Sequence, residues 1–332
     1  MNFYENSEYT SKMGYIQPIS ILSYNIYDIL YNDNNELIII ARYAPDPNTI
    51  KYISYENNIL TFDLYKCPHN HTYIYSLRTD YRKRIKISIN DVIIETNVNK
   101  YPTFKDEIIF STIVKNEDAF IPGWIDYHIK LGASRFIIYD NSNDVTLSTV
   151  LGKYIKNKIV LLIKWTYPYR CKLSGISGQT TQQNHSIYAF RDSKYIGFFD
   201  IDEYVNIQGI SNIDHFFNQL IKAKNIDVNQ IGSFQLLNKF FYNPNNLPEV
   251  NNQFLNIYNC DNITLGGREK NFVLPKNVIT FSVHMITSGK PMYKVNGDIA
   301  RFNHYFYLNK KNRGRNITDL VDDTISFHLK NE

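Results

Sequence analysis

The chain has 332 residues, 43% hydrophobic and 20% charged, which is enough apolar material to bury a core and excludes a disordered chain. Its 36 basic and 32 acidic residues leave a formal net charge of +4, which argues against a nucleic-acid partner held by bulk charge. Three distant cysteines, Cys67, Cys171 and Cys260, match neither a metal spacing nor a disulfide framework and fit a reducing compartment.

Residues 1 to about 100 read as strands and hairpins. Ile26 to Leu30 and Leu37 to Ala41 flank the turn Asn32-Asp33-Asn34-Asn35. Tyr52 to Tyr55 and Ile59 to Leu64 flank Glu56-Asn57-Asn58. Arg84 to Ile89 and Val92 to Thr96 flank Asn90-Asp91. This regularity predicts a small all-β, sandwich-like domain over residues 1–102, ending in the polar stretch around Pro102. From residue 103 to 332 the pattern becomes strand–helix alternation. Strands are expected at Glu107 to Val114, Arg135 to Tyr139, Lys158 to Trp165, Tyr195 to Phe199 and Ser233 to Tyr242. Helices are expected at Glu117 to Leu131, Val145 to Ile155, Thr180 to Arg191 and Ile213 to Lys224. Such alternation implies an α/β domain with a mainly parallel sheet flanked by helices. The N-terminal ten residues lack an apolar stretch, and runs such as Ile159 to Ile163 are too short for a bilayer. The expectation is a cytoplasmic protein with no signal peptide and no transmembrane segment.

In such a sheet, ligands bind beyond the carboxyl ends of the strands. Three polar clusters fall there: Lys115-Asn116-Glu117, Asp140-Asn141-Ser142-Asn143-Asp144, and Asp200-Ile201-Asp202-Glu203. An Asp-X-Asp triplet alone is usually a solvated turn. Here an apolar strand runs straight into three carboxylates, which is costly unless they meet a cation or water. Asp200 and Asp202, at i and i+2, can face one hard divalent ion such as Mg²⁺ or Mn²⁺. Trp124, Trp165 and His128 read as packing residues. Gln183 and Asn184, on the helix before the acidic strand end, are secondary candidates for ligand contact.

Four motifs carry a resemblance. Lys115-Asn116-Glu117 with Trp124-Ile125-X-Tyr127-His128 and Leu131-Gly132, then Phe136 to Ser142, then Phe199-Asp200-Ile201-Asp202-Glu203-Tyr204, and finally Arg301-Phe302-Asn303-His304-Tyr305-Phe306 with Arg313-Gly314, occur in the order seen in a glycosyltransferase family 92 domain. The chain resembles that family over about residues 105–315. The resemblance implies a GT-A fold, a nucleotide-sugar donor, UDP-linked, a divalent cofactor (Mn²⁺ or Mg²⁺) and inversion at the anomeric carbon. It implies that Asp140 holds the uracil edge with Asn141 nearby, and that Thr112, Val114, Asn116 and Glu117 line the nucleoside pocket. Asp200 would touch ribose or metal and Asp202 would ligate metal, with His304 as third ligand and His284 as the alternative.

Transfer builds negative charge on the leaving diphosphate, which cations stabilise. Arg268 and Lys270 are the first candidates among the basic residues, ahead of Lys276, Lys310, Lys311, Arg313 and Arg315. Inversion needs a general base. Glu269, Asp261 and Glu249 are the candidate carboxylates, Glu269 first. The family's Trp-X-X-Phe-Gly stretch is replaced by Leu236 to Phe241, which bears on the acceptor. Galactose is the default donor sugar, and a glycan, glycoprotein or glycolipid the expected acceptor. The abundance of Asn, Ile, Tyr and Lys points to an AT-rich genome or a large DNA virus. The competing readings are a carbohydrate-binding protein that has lost transfer, and a metal-dependent nucleotidyltransferase, which the lack of a Gly-rich phosphate loop disfavours.

Overall fold

The structure is a computed structural model that describes residues 19–21, 24–42, 53–55, 58–60, 62–67, 72–89, 92–165, 168–169, 177–242, 257–261, 265–305 and 320–330. The chain is mixed α/β, rich in strands and with few helices. The N-terminal strands are β1 (Ile19–Ile21), β2 (Tyr24–Tyr31), β3 (Glu36–Arg42), β4 (Ile53–Tyr55), β5 (Asn58–Leu60), β6 (Asp63–Cys67), β7 (Thr72–Arg78), β8 (Arg84–Ile89), β9 (Val92–Asn97) and β10 (Asn99–Lys100). The sheet order is β1-β2-β3-β7-β6, with β10 pairing β2 in parallel. The β2–β3 turn forms as its asparagines suggest. Asn32 Oδ1 accepts from the backbone of Asn34 and Glu36, and Asn35 adopts φ 57°, which Asn tolerates.

The two faces of this sheet have different partners. Ile29, Tyr31, Leu37, Ile39 and Tyr75 pack with Ile85 and Ile87 of the β8–β9 hairpin. Leu30, Ile38, Ile40 and Ile74 face the other way and join a cluster with Ile137, Tyr139, Ile163, Trp165 and Ile196 of the second sheet. The register of β2 against β3 shifts between Ile26 and Asp28. This bulge brings Tyr27 into the inner cluster and lets Asp28 also reach inward.

The second sheet holds β11 (Ile108–Val114), β12 (Arg135–Asp140), β13 (Val160–Lys164), β14 (Tyr195–Phe198), β15 (Glu203–Ile207), β16 (Ser233–Phe241), β17 (Leu265–Val273), β20 (Met292–Lys294) and β21 (Ala300–Tyr305), while β18 (Val278–Ser282) and β19 (Met285–Gly289) form a separate hairpin. Its order is β13-β12-β11-β14-β17-β16-β21-β15. The first four strands are parallel, while β17 is antiparallel to both β14 and β16. The sheet is therefore mixed. The helices are α1 (Ile121–Lys130), α2 (Thr146–Val150), α3 (Gly152–Lys156), α4 (Ser177–Ala189), α5 (Ile213–Lys224) and α6 (Ser326–Lys330). Pro122 in the first turn of α1 starts that helix four residues after the acidic pair Glu117-Asp118. The expected helix over Val145 to Ile155 is instead two short helices meeting at Leu151.

One face of the sheet buries Phe110, Phe136, Phe199 and Phe272 against Trp124 of α1 and Phe217 of α5. The opposite face receives α4, the β18–β19 hairpin and the N-terminal sheet. Helix α4 is unusual in being polar all round yet buried: Gln179, Thr180, Thr181, Gln182, Gln183, Asn184, His185 and Ser186 are each at most 5% exposed. A buried polar group must find a partner or cost stability, and these do. Thr181 bonds Thr72 of β7. Gln182 donates to Ser111 of β11. Ser186 donates to the Tyr139 hydroxyl, which lies 2.6 Å from His185 Nδ1. His185 Nε2 lies 2.8 Å from Asp28 Oδ2. Asp28 also accepts from Tyr101, Asn99 and the Ile29 backbone.

Two further buried histidines brace β15. His128 Nδ1 bonds the Trp124 carbonyl, so its Nε2 accepts from the Val205 N–H at 3.4 Å. His328 Nε2 accepts from the Ile207 N–H at 3.3 Å. Burial lowers His128 to about 3 and His328 to about 4. The unfolded chain binds these protons below about pH 6.5 while the folded chain resists them. Stability is thus expected to be intact above pH 6.5 and lost as pH falls from there toward 4, read by urea titration at each pH. His328→Gln should flatten that slope; an unchanged slope contradicts the assignment. Asp28→Ala leaves four donors without their acceptor and is expected to cost at least about 1–3 kcal/mol, the range for one buried polar group left unsatisfied, measured by the shift in denaturation midpoint.

Candidate functional site

Strands β11, β12 and β14 end side by side because they are parallel neighbours. Their ends open onto a cavity of about 570 Å³ lined by Val114, Lys115, Glu117, Asn141, Pro168, Tyr169, Asp200 and Asp202, among others. Strand β14 ends at Phe198, the chain turns through Asp200 and Asp202, and β15 pairs antiparallel with β21 so that Glu203 stands opposite His304. The Tyr305 N–H donates to the Asp202 carbonyl at 2.8 Å, which fixes the acidic turn against β21.

Here Asp202, Glu203 and His304 offer ligand atoms that all lie within 4.8 Å of one another. His304 Nε2 is 3.4 Å from Asp202 Oδ2. Lys270, on β17 and 2% exposed, reaches Asp200 Oδ2 at 2.7 Å and Glu203 Oε2 at 3.1 Å. The Asp200 N–H donates to the same Glu203 oxygen. The electrostatics follow from this crowding. Burial raises Glu203 to about 7, an effect that Lys270 opposes and Asp200 reinforces. Burial alone would lower Lys270, but Asp200 and Glu203 hold it above its ordinary value. Burial likewise opposes protonation of His304, and Asp202 and Glu203 overcome it, so its pKa is raised. Two carboxylates, Asp200 and Glu203, share one lysine, and Asp202 lies against His304. The cluster has room for more positive charge, and its two carboxylates and imidazole are oxygen and nitrogen ligands of the kind Mn²⁺ or Mg²⁺ accepts.

The cavity wall is tied to the same cluster. Gln179 Nε2 donates to Asp200 Oδ1 at 3.1 Å, and its Oε1 accepts from the Tyr169 hydroxyl at 3.0 Å. The Gly178 N–H donates to the Tyr169 carbonyl, and a Cβ at Gly178 would lie 2.7 Å from the Pro168 carbonyl oxygen. Only glycine lets this segment close on α4.

Of the residues expected to hold a nucleoside, Val114, Glu117 and Asn141 line the cavity. Asn141 is steadied by its bond to the Trp165 carbonyl. Asp140 is turned inward: Oδ2 takes the Lys164 ammonium at 2.8 Å and Oδ1 accepts from the Ser142 N–H. Parallel register places Lys164 beside Asp140. Thr112 is buried and is not among the residues lining the cavity, and Asn116 is exposed with φ 55°. Asp200 faces Lys270 and Gln179 and lies outside the Asp202, Glu203 and His304 group, as does His284. His284 Nδ1 bonds the Glu269 carbonyl at 2.8 Å. Arg268 is exposed over the Phe240 ring. Lys276 pairs with Asp192. The Asp261 carboxylate accepts from Tyr242. Gln183 and Asn184 contact the β18–β19 hairpin, while Gln179 of the same helix is the one that reaches the cluster. Glu249, Cys171, Lys310, Lys311, Arg313 and Arg315 lie outside the described residues. The sequence reading did not single out Glu203, Lys164, Tyr169 or Gln179. Only Glu203 had a local signal, as the third acid of the motif.

The family model of glycosyltransferase family 92 matches residues 110–331. A glycosyltransferase family 92 protein of Ricinus communis is 24% identical over 209 residues, covering 60% of this chain and 35% of that protein. Family 92 proteins of Arabidopsis thaliana and Oryza sativa subsp. japonica are 32% and 28% identical over 102 and 99 residues, each covering 30% of this chain and 16% of the relative. The chain spans about a third of the length of the Ricinus relative. Among solved structures, that of S. aureus TarS aligns with 60% of this chain and 36% of its own at 14% identity, with a TM-score of 0.33, too low a similarity to inform the fold.

Lys270→Met should leave Glu203 buried without its counter-charge and cost about 3–5 kcal/mol. The double variant Lys270→Met/Glu203→Gln should recover much of that loss. Urea unfolding of the two single variants and the double variant measures the coupling; strict additivity would contradict the pairing.

Proposed function

The chain belongs to glycosyltransferase family 92, and on that premise we propose that it is a metal-dependent, inverting glycosyltransferase of the GT-A type. The donor is a nucleotide-diphosphate sugar, UDP-linked, with galactose as the sugar inherited from the resemblance. The acceptor is a hydroxyl of a glycan, glycoprotein or glycolipid. Residues 103–332 form the catalytic unit and residues 1–102 an accessory unit braced against it. Among the described residues no helix is long and apolar enough to cross a membrane.

The observation that carries this reading is the Asp202, Glu203 and His304 group at the rim of a cavity of nucleotide-sugar size. Asp202 and His304 would hold the ion, with Glu203 behind them. When bound, the ion neutralises charge developing on the leaving diphosphate. The chain's own residues do the rest. Asn141, Glu117 and Val114 line the cavity where the nucleoside would lie, and Tyr169 closes its far wall. Lys270 holds Asp200 and Glu203 in place and adds fixed positive charge beside the reacting centre.

Thermal unfolding with a panel of nucleotide sugars, with and without Mn²⁺, tests the proposal. Ligand at roughly 100 times its dissociation constant adds about 2.7 kcal/mol of apparent stability. One donor should stabilise the wild type only with Mn²⁺, and Asp202→Ala should lose the shift. Stabilisation by free glycans but by no nucleotide sugar would favour a binding protein without transfer activity.

A further inference from the structure

Helix α4 meets the cavity at its first turn. The Gly178 N–H donates to the Tyr169 carbonyl at 3.1 Å, and the next residue, Gln179, accepts from the Tyr169 hydroxyl at 3.0 Å. Two successive helix residues thus hold both the backbone and the side-chain tip of one tyrosine. Gln179 is 5% exposed and is not among the lining residues. Tyr169 is half-buried and lines the cavity together with Pro168, Asp200, Ile201 and Asp202.

The direction of each bond in this chain follows from its last member. The Asp200 carboxylate can only accept, and it takes the Lys270 ammonium on Oδ2 at 2.7 Å and Gln179 on Oδ1 at 3.1 Å. The end of the Gln179 amide that faces it is therefore the NH₂, which leaves Oε1 at Tyr169. An amide oxygen also can only accept, so the phenol is the donor. A phenol has one hydrogen, and Gln179 takes it. Acceptor capacity is what the Tyr169 oxygen has left for a ligand.

The neighbours on this wall have the same polarity. Pro168 has no N–H, Ile201 has an apolar side chain, and Asp200 and Asp202 carry carboxylates whose side chains are 43% and 24% exposed. The Asp200 N–H is spent inside, on Glu203 Oε2. No side chain of this wall offers a polar hydrogen. A phosphate, which only accepts and is negatively charged, finds no direct partner here. A hydroxyl, which donates, finds two. Tyr169 and Asp200 bind the two ends of a single amide group, which spaces them for neighbouring hydroxyls of one ring.

We propose that Gln179 is a positioning residue that makes Tyr169 and Asp200 a hydroxyl-binding wall, a subsite for a ring diol of the nucleotide sugar; this rests on the glycosyltransferase reading above. The chemistry is shared by the ribose and by the transferred sugar, and the ligands of the test separate the two. Calorimetry on the whole chain with Mn²⁺ uses UDP, 2′-deoxy-UDP, 3′-deoxy-UDP, UDP-galactose and the monodeoxy forms of its galactose, each against wild type, Tyr169→Phe and Gln179→Met. In wild type, removing the hydroxyl that this wall reads should weaken binding about tenfold. In both variants that penalty should shrink to within about threefold, with affinity for the deoxy ligand unchanged. Such a penalty in the UDP series assigns the wall to ribose, and one in the UDP-galactose series assigns it to the transferred sugar. Damage to the fold would weaken intact and deoxy ligands alike and leave their ratio as in wild type, and that result overturns the proposal. So does a wild type that binds UDP and UDP-galactose with no penalty for any missing hydroxyl. A wild type that binds none of these nucleotides overturns the proposal and the glycosyltransferase reading together.

Discussion

A helix of 13 residues, polar from Gln179 to Ser186 and closed off from water along that stretch, lies between two sheets of this protein. That stretch has no apolar stripe to drive its docking, and only Ile187, Tyr188 and Ala189 at the helix end join the inner apolar cluster. It is held by hydrogen bonds made in a low-dielectric interior, where a satisfied network is strong and a broken one is expensive. The partners of α4 come from every part of the fold: Asp28 and Thr72 of the N-terminal sheet, Ser111 and Tyr139 of the central strands, Phe281 and Val283 of the hairpin, and Asp200 at the acidic turn. The N-terminal sheet is thus more than a neighbour. It supplies the acceptor, Asp28, on which the chain of bonds through His185 and Tyr139 ends.

The acidic turn shows the same logic with charge in place of neutral polar groups. Glu203 is drawn inside by β15 pairing with β21, and burial makes its ionised form costly. Lys270 enters from β17 to offset that cost, and it holds Asp200 in the same grip. Asp202 is left at the cavity rim beside His304. Division of labour among three adjacent acids thus follows from strand pairing. Asp200 is tied back, Glu203 is buried, and Asp202 faces the cavity.

Local chemistry made parts of this legible in the sequence. Helix α5 runs from Ile213 to Lys224 as its pattern suggests, because Asn212 caps it through the His215 N–H and Asn225 ends it in the left-handed region. The hairpins announced themselves through Asn and Asp turns. The Asp200 and Asp202 pair was visible because an apolar strand precedes it. What escaped depends on register between distant segments. Lys164 neutralises Asp140 only because parallel pairing sets them side by side. Tyr169 reaches Gln179, and through it Asp200, only because Gly178 admits a close backbone approach. The polar α4 offered no periodic signal, since its burial is decided by partners up to 157 residues away. The mixed sheet arises at β17, whose antiparallel pairing on both sides brings Lys270 to the cluster.

Anomalous diffraction at the manganese edge, from crystals grown with Mn²⁺ and UDP, tests the central claim most directly. One strong peak is expected beside Asp202 and His304, with the uridine against Asn141 and Lys270 still paired with Glu203. Ordered UDP with no anomalous peak at Asp202, or a peak held elsewhere on the chain, would contradict a metal-dependent transfer centred on this cluster.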